Sequence, residues 1–244
     1  MADGPPCRRA YAGPVGTHVI QRFGHISLLG VVLLALAACQ AVAPTPVPTS
    51  PPEVTVTVPV LIKDKAVISA AADVLSARVK ALGIGTFSVG IGDSMVFSLP
   101  ASPPPDQAKI QAAFRARGDV AFLPIPVAAG APQVGSPAPI GIAPLFDADG
   151  QVTAATVVDS NGAKALEIHL GPAGTAALAA YSTSHVGDDI AIVLDGVVLF
   201  LPKLMEPLTD GRLVVSFPPD QGLPYALDVL AAILASGPLP AAWP

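Results

Sequence analysis

The alternating and helical periodicities of residues 54–124 constrain the fold more than any other feature. Residues 54–62 begin by alternating apolar and polar side chains, the period of a half-buried strand. Asp64 can cap a helix in which Val67, Ala71, Val74, Leu75, Arg78 and Leu82 recur at helical spacing, and Gly83 supplies the stop. The apolar runs 87–91 and 95–99 flank Gly92-Asp93, a pair suited to a hairpin turn with positive φ. Pro103, Pro104, Pro105 and Asp106 open a second helix carrying Ile110, Ala113 and Phe114, with Gly118 after it. Residues 119–124 form the last strand. The order β-α-β-β-α-β predicts a ferredoxin-like subdomain over residues 54–127, with two helices covering one face of a four-stranded antiparallel sheet.

Residues 128–139 are mostly Gly, Ala, Pro and Ser and read as a connector. A second α+β unit follows over 140–240. Strands at 152–158 and 165–170 flank Asp159-Ser160-Asn161-Gly162, whose Asn-Gly pair is a strong hairpin signal. Residues 172–184 read as a helix with Pro172 at its first position. Strands at 189–194 and 197–201 enclose the Asp195-Gly196 turn, and 212–217 is a further strand. A final helix over 223–236 carries Leu227, Leu230, Ile233 and Leu234 and closes at Gly237.

The beginning of the chain has a different character. Arg8, Arg9 and Arg22 precede an apolar stretch, 26–38, that ends in Leu36-Ala37-Ala38-Cys39. A basic segment, an apolar run shorter than the roughly 20 residues of a spanning helix, then small residues and a cysteine, is the layout of a bacterial lipoprotein signal. The expectation is removal of residues 1–38, lipidation of Cys39 with palmitate among the acyl groups, and a domain tethered to the extracytoplasmic face of the cell membrane. Ala35-Leu36-Ala37 also fits an ordinary secretory cleavage site. The 25 residues before Ile26 are long for such a leader, which leaves a later start codon open. Residues 41–53, AVAPTPVPTSPPE, favour an extended polyproline spacer, so 39–53 reads as lipidated cysteine plus linker.

Composition narrows the chemistry. Of 13 basic and 18 acidic residues, Arg8, Arg9, Arg22 and Asp3 precede Cys39, which leaves ten against seventeen and a formal charge of −7. An acidic chain without a basic stripe argues against nucleic acid as a partner. The only other cysteine is Cys7, so the domain has no disulfide and depends on its apolar core. His169 lies two residues from Glu167 on one face of a strand, and His185 lies near Asp188 and Asp189. Neither has a recognised metal-ligand spacing, and Asp188-Asp189 reads as a turn. Asp195-Gly196 is accounted for by its hairpin. No serine-nucleophile elbow or phosphate loop is present. The sequence therefore predicts no catalytic residues, no metal and no cofactor. Trp243 reads as a flexible tail residue, with docking on the domain or the membrane interface as the alternative.

One set of motifs points to a known family. The run 189–196 (DIAIVLDG), Pro202, the segment 204–208, Asp210-Gly211-Arg212 and the helix with its exit, 226–240 (ALDVLAAILASGPLP), occur in order. Together they resemble the head part of the first large periplasmic domain (P1) of SecD, a membrane protein that assists Sec-dependent export. The first unit agrees. Residues 78–83 (RVKALG) resemble the family's R-V-N-A-L-G, 95–100 (MVFSLP) its I-V-V-E-L-P, and 118–122 (GDVAF) its G-x-L-x-F. The resemblance runs from about Val54 to Pro240.

It implies a P1 base-like subdomain followed by a P1 head-like subdomain. It also implies a non-catalytic role in protein export, with unfolded exported polypeptides or Sec translocase subunits as partners. The transmembrane helices that link SecD to the proton gradient would begin where this sequence stops, so no proton coupling is expected from these residues. Leu201 stands in place of the family's small residue, and Thr183-Ser184-His185 and Val215-Ser216-Phe217-Pro218 also depart from its pattern. The alternative reading of the same residues is a cell-surface module that has reused the fold for an unrelated ligand or envelope protein.

Overall fold

The computed structural model describes residues 53–126, 132–160, 162–216 and 222–243. The first strand is β1 (Glu53–Pro59), followed by helix α1 (Lys65–Ala81). Asp64 caps α1 by accepting hydrogen bonds from Ala66 N at 2.9 Å and Val67 N at 3.4 Å. At the other end Gly83 N donates to Lys80 O and Ile84 N to Val79 O, with Gly83 at φ +83°. That pair of bonds is a Schellman closure, which needs the left-handed residue that glycine supplies. The buried stripe of α1 runs through Ile68, Ala71, Ala72, Leu75, Arg78 and Val79, and Val67, Val74 and Leu82 flank it.

β2 (Ser88–Ile91) and β3 (Ser94–Pro100) form the expected hairpin. Its turn differs from the expectation, because neither Gly92 nor Asp93 takes a positive φ. Ile91 pairs with Met95, and residues 92–94 bend between them, with Gly92 N bonded to Ser94 O. A bend of this length does not need the mirror-image geometry of a two-residue loop. Helix α2 (Gln107–Arg115) is capped by Asp106 and packs on β3 through Phe114 and Phe97, whose rings lie 4.8 Å apart.

The strand β4 (Val120–Ile125) completes the order βαββαβ but does not complete the expected four-stranded sheet. The first sheet has the order β1-β3-β2, which leaves β1 at an edge. β4 instead pairs antiparallel with β7 (Asp189–Leu194), which pairs with β8 (Val197–Phe200). The reason lies in its side chains. The first sheet has one solvated face, where Thr55 and Thr57 are exposed. β4 is apolar on both faces: Phe122 joins the main core, and Leu123 and Ile125 join a second cluster with Ala191, Val193 and Val198. Beside β1, one of these faces would stand in water, whereas beside β7 both are covered. Ala138 and Ile142 help to cover the second cluster. Part of the presumed connector is therefore structural. Gly135 N and Ala138 N donate to Val198 O and Gly196 O at 2.8 Å, which occupies the outer edge of β8.

The third sheet joins β5 (Val152–Ser160), β6 (Ala163–Leu170) and β9 (Arg212–Ser216). Ser160 pairs with Ala163, and Gly162 at φ +80° supports the predicted two-residue turn. Helix α3 (Pro172–Ser184) spans the predicted residues. Helix α4 (Leu227–Ser236) begins later than predicted and buries every residue from Val229 to Leu234. A helix apolar on all sides needs partners all round. α4 has them in α1, α2 and β5, so it joins the two sequence units in one compact body over residues 49–244.

Candidate functional site

The densest polar arrangement is built around Arg78, on the inner face of α1. Its guanidinium is fully buried and uses all five N–H groups. Nη1 donates to Ala113 O at 2.6 Å and Ala116 O at 2.5 Å, and Nη2 to Arg117 O at 3.0 Å and Gly237 O at 3.1 Å. Nε donates to Ser236 Oγ at 3.1 Å. One cation thus serves the carbonyls at the C-terminal ends of α2 and α4, where the helix dipoles are negative. Burial lowers the Arg78 pKa to about 10, while Asp195 and Tyr225 oppose that shift, so the group is charged at neutral pH.

Asp195 faces the same loop from the β7–β8 turn, with Asp195 at φ +51° and Gly196 at φ +78°. Its carboxylate accepts from Arg117 N at 3.0 Å, Gly118 N at 2.8 Å and Asp119 N at 2.9 Å, and Asp195 N returns a bond to Asp119 O at 2.9 Å. Gly118 sits between the two charges at φ +88°. A Cβ there would lie 2.6 Å from Arg78 Nη2 and 3.0 Å from Gly237 O. Leu239 N donates to Arg117 O at 2.7 Å. Four short motifs far apart in sequence therefore meet at one point: Arg78 of RVKALG, Gly118 of GDVAF, Asp195 of LDG, and the SGPLP exit of α4. Apart from the Arg78 Nε bond to Ser236 Oγ, these side-chain donors and acceptors are directed at backbone, so this site fixes the fold.

The residues weighed for chemistry are placed elsewhere. Glu167 accepts from Arg212 Nη2 at 2.7 Å and contacts His169 Nε2 at 2.6 Å. These hydrogen bonds, Arg212 first and His169 second, hold the Glu167 carboxyl down at about 2. The Glu167–His169 contact thus belongs to a polar network across β6 and β9 that is anchored by the Arg212–Glu167 ion pair. His185 ends α3: Nδ1 lies 2.9 Å from Tyr181 O and from Ser184 Oγ, and its ring stacks on Tyr181 at 4.1 Å. Tyr181 donates its hydroxyl to Asp188 Oδ2 at 3.2 Å, and burial, then Asp188, raises the phenol's pKa. Among the described residues no group of three or more His, Cys, Asp and Glu side chains could hold a metal ion. Cys39 and the leader lie outside the described residues. Trp243 is not a free tail: it is 5 % exposed, and its carbonyl accepts from Arg117 Nη1 at 3.2 Å.

Arg78 was visible in sequence only as an arginine on an apolar stripe, and its partners were not. Such a placement signals a buried cation, because a charge inside the core must be paired or fully hydrogen-bonded. β8 already has its edge occupied by 135–138, and α4 is a core helix.

The arrangement defines an α+β domain whose two halves are locked through a buried arginine, with no helix among the described residues long and apolar enough to cross a membrane. Residues 133–241 match the family model for the P1 head subdomain of SecDF. The protein translocase subunit SecD of Rhodobacter capsulatus is 32 % identical over 98 residues, which are 40 % of this chain and 17 % of the relative. A crystal structure of SecDF in a super-membrane-facing form superposes with a TM-score of 0.58 at 22 % identity, covering 77 % of this chain and 28 % of that one. A second structure, of a membrane component SecDF that enhances protein export, gives a TM-score of 0.56 at 20 % identity and covers 77 % of this chain and 95 % of that one. The mixed α+β architecture is the one these SecDF structures share. The chain spans about a sixth of the length of its SecD relative.

Proposed function

We propose that this chain is a non-catalytic, membrane-tethered protein that binds exported polypeptides, in contact with translocase subunits, on the extracytoplasmic face during Sec-dependent export. Residues 1–38 serve as its signal, Cys39 carries the lipid and 39–53 is the spacer. The observation that carries this reading is the P1 head match over residues 133–241, in a chain whose superposition on SecDF extends well upstream of that segment. The basic–apolar–Cys39 layout supplies the tether. The Arg78–Asp195 junction supplies a rigid body without a disulfide, as an oxidising compartment and only Cys7 and Cys39 require.

Two measurements test the parts separately. Radiolabelled palmitate should enter the wild type and be absent from a Cys39→Ala variant, and label retained in that variant sinks the anchor. The purified full chain in mild detergent should bind a reduced, carboxymethylated α-lactalbumin, a permanently unfolded polypeptide. Absence of binding to that chain, together with absence of any crosslink to translocase subunits in cells, contradicts the export role.

A further inference from the structure

We infer that the unpaired edge of β1, beneath α2, is a docking site for one extended polypeptide strand; this rests on the polypeptide-binding reading above and assigns it a place. β1 is an edge strand because β4, next in the order that would close a ferredoxin-like sheet, has gone to β7. Among the described residues no strand takes the position beside β1. A groove of about 340 Å³ lies there, with Thr55–Pro59 on one side and Gln107, Gln111, Phe114 and Arg115 of α2 on the other. Those four α2 residues are spaced i, i+4, i+7 and i+8, a single helical face. That face overhangs the edge as it would overhang a fourth strand.

The phase of the backbone shows which groups are offered. Val60 N bonds inward to Asp93 O, and β1 residues alternate between the two sides. Val54, Val56 and Val58 therefore pair towards β3, and Thr55, Thr57 and Pro59 face outward. Pro59 has no N–H to lose, which suits an outward position at an edge. The free edge thus presents the N–H and C=O of Thr55 and Thr57, with Pro59 and Glu53 bounding the run.

The geometry selects the occupant. A second copy pairing β1 with β1 about a two-fold axis would bring its own α2 over the same gap, and the two helices would collide. Any strand carrying a covering helix on that face meets the same obstacle. A bare extended segment does not. The groove is lined by Thr, Val, Gln and Phe with Arg115 as its one charged group, and no carboxylate lines it. Recognition therefore falls mainly on main-chain hydrogen bonds, which are blind to sequence, with a mild apolar preference for alternate side chains. That is the chemistry suited to unfolded chains of varied sequence.

The test uses the full chain in mild detergent with reduced, carboxymethylated α-lactalbumin, an acidic polypeptide that net charge would not attract. Binding is read by fluorescence anisotropy and edge pairing by amide hydrogen exchange. The inference expects the Thr55 and Thr57 amides to become protected on binding. Thr57→Pro, which removes an outward N–H alone, should weaken binding about five- to tenfold, as loss of one net hydrogen bond does. Gln111→Trp, which fills the groove from an exposed position, should weaken it at least as much and covers the case in which Thr57→Pro fails to fold. Binding that leaves both amides unprotected and is unchanged in Gln111→Trp overturns the site while leaving polypeptide binding in place. Protection that rises with protein concentration without added polypeptide means a second copy occupies the edge and also overturns it. No binding by the wild type overturns the broader reading, and the inference with it.

Discussion

Replacing Gly118 by alanine tests whether the Arg78–Asp195 junction is as tightly built as its distances indicate, and Gly83 provides an internal control. Both glycines have nearly the same backbone, φ +88° and +83°. A Cβ at Gly83 would meet nothing within 4 Å, whereas at Gly118 it would lie 2.6 Å from Arg78 Nη2 and 3.0 Å from Gly237 O. The left-handed conformation costs an L residue about 1–2 kcal/mol at either site. Overpacking adds about 1–3 kcal/mol at Gly118 alone, since five hydrogen bonds hold the guanidinium in place. The change in unfolded-chain entropy is common to both variants and cancels. Gly118→Ala should therefore lose about 2–5 kcal/mol and Gly83→Ala about 1–2 kcal/mol. Urea denaturation of the full chain, followed by far-UV circular dichroism, measures both, and a stability of roughly 5–15 kcal/mol keeps them within range. Equal losses in the two variants would refute the close approach at Gly118.

Three other expectations concern the junction, the Glu167 network and Trp243. Arg78→Lys keeps the charge but loses the fork that reaches Ser236 Oγ and the carbonyls of both helix ends, so it should cost about 2–4 kcal/mol, with buried carbonyls left unpaired; a loss under about 1 kcal/mol in the same denaturation experiment would contradict the keystone role. The Glu167 carboxyl lies near 2 in the fold against 4.5 ordinarily, so the folded state binds its proton less readily than the unfolded one. Its stabilising contribution is complete above about pH 4.5 and is lost as pH falls towards 2; Glu167→Gln should flatten the pH dependence of stability across that window, and an unchanged slope would count against it. Trp243 is the only tryptophan and is buried, so its emission should be blue-shifted, poorly quenched by acrylamide, and should redden in step with the loss of helix on unfolding.

The parts of the fold legible in the sequence were those set by neighbouring residues. Asp64 and Asp106 cap their helices, Gly83 closes α1, Pro172 starts α3, and Asp159–Gly162 and Asp195-Gly196 make their hairpins, because caps and tight turns depend on a few adjacent side chains and on φ. Pairing choices between distant strands were less legible. The destination of β4 depended on which sheet could cover two apolar faces, and residues 120–125 carry that signal only as missing alternation. Arg78 showed its burial through its place on the α1 stripe, yet its acceptors come from residues 113–117 and 236–237, beyond any local pattern. The edge position of β1 was invisible for the same reason, since among the described residues it exists only because another strand left. Trp243 looked like a tail because nothing beside it in sequence indicates that Arg117 holds its carbonyl.

The measurement that bears most directly on the central claim is site-specific photocrosslinking in living cells, with probes at exposed Gln111 and exposed Leu61 of the full chain and a tagged secretory precursor stalled in export. Leu61 stands 75 % exposed on a separate surface beyond the end of β1, so it reports on non-specific proximity. The account predicts a crosslink from Gln111 to the stalled precursor that disappears when export is blocked before translocation. Crosslinks confined to one envelope protein unrelated to export, with none to the precursor or to translocase subunits, would contradict it and would show that the P1 fold has been turned to a different partner.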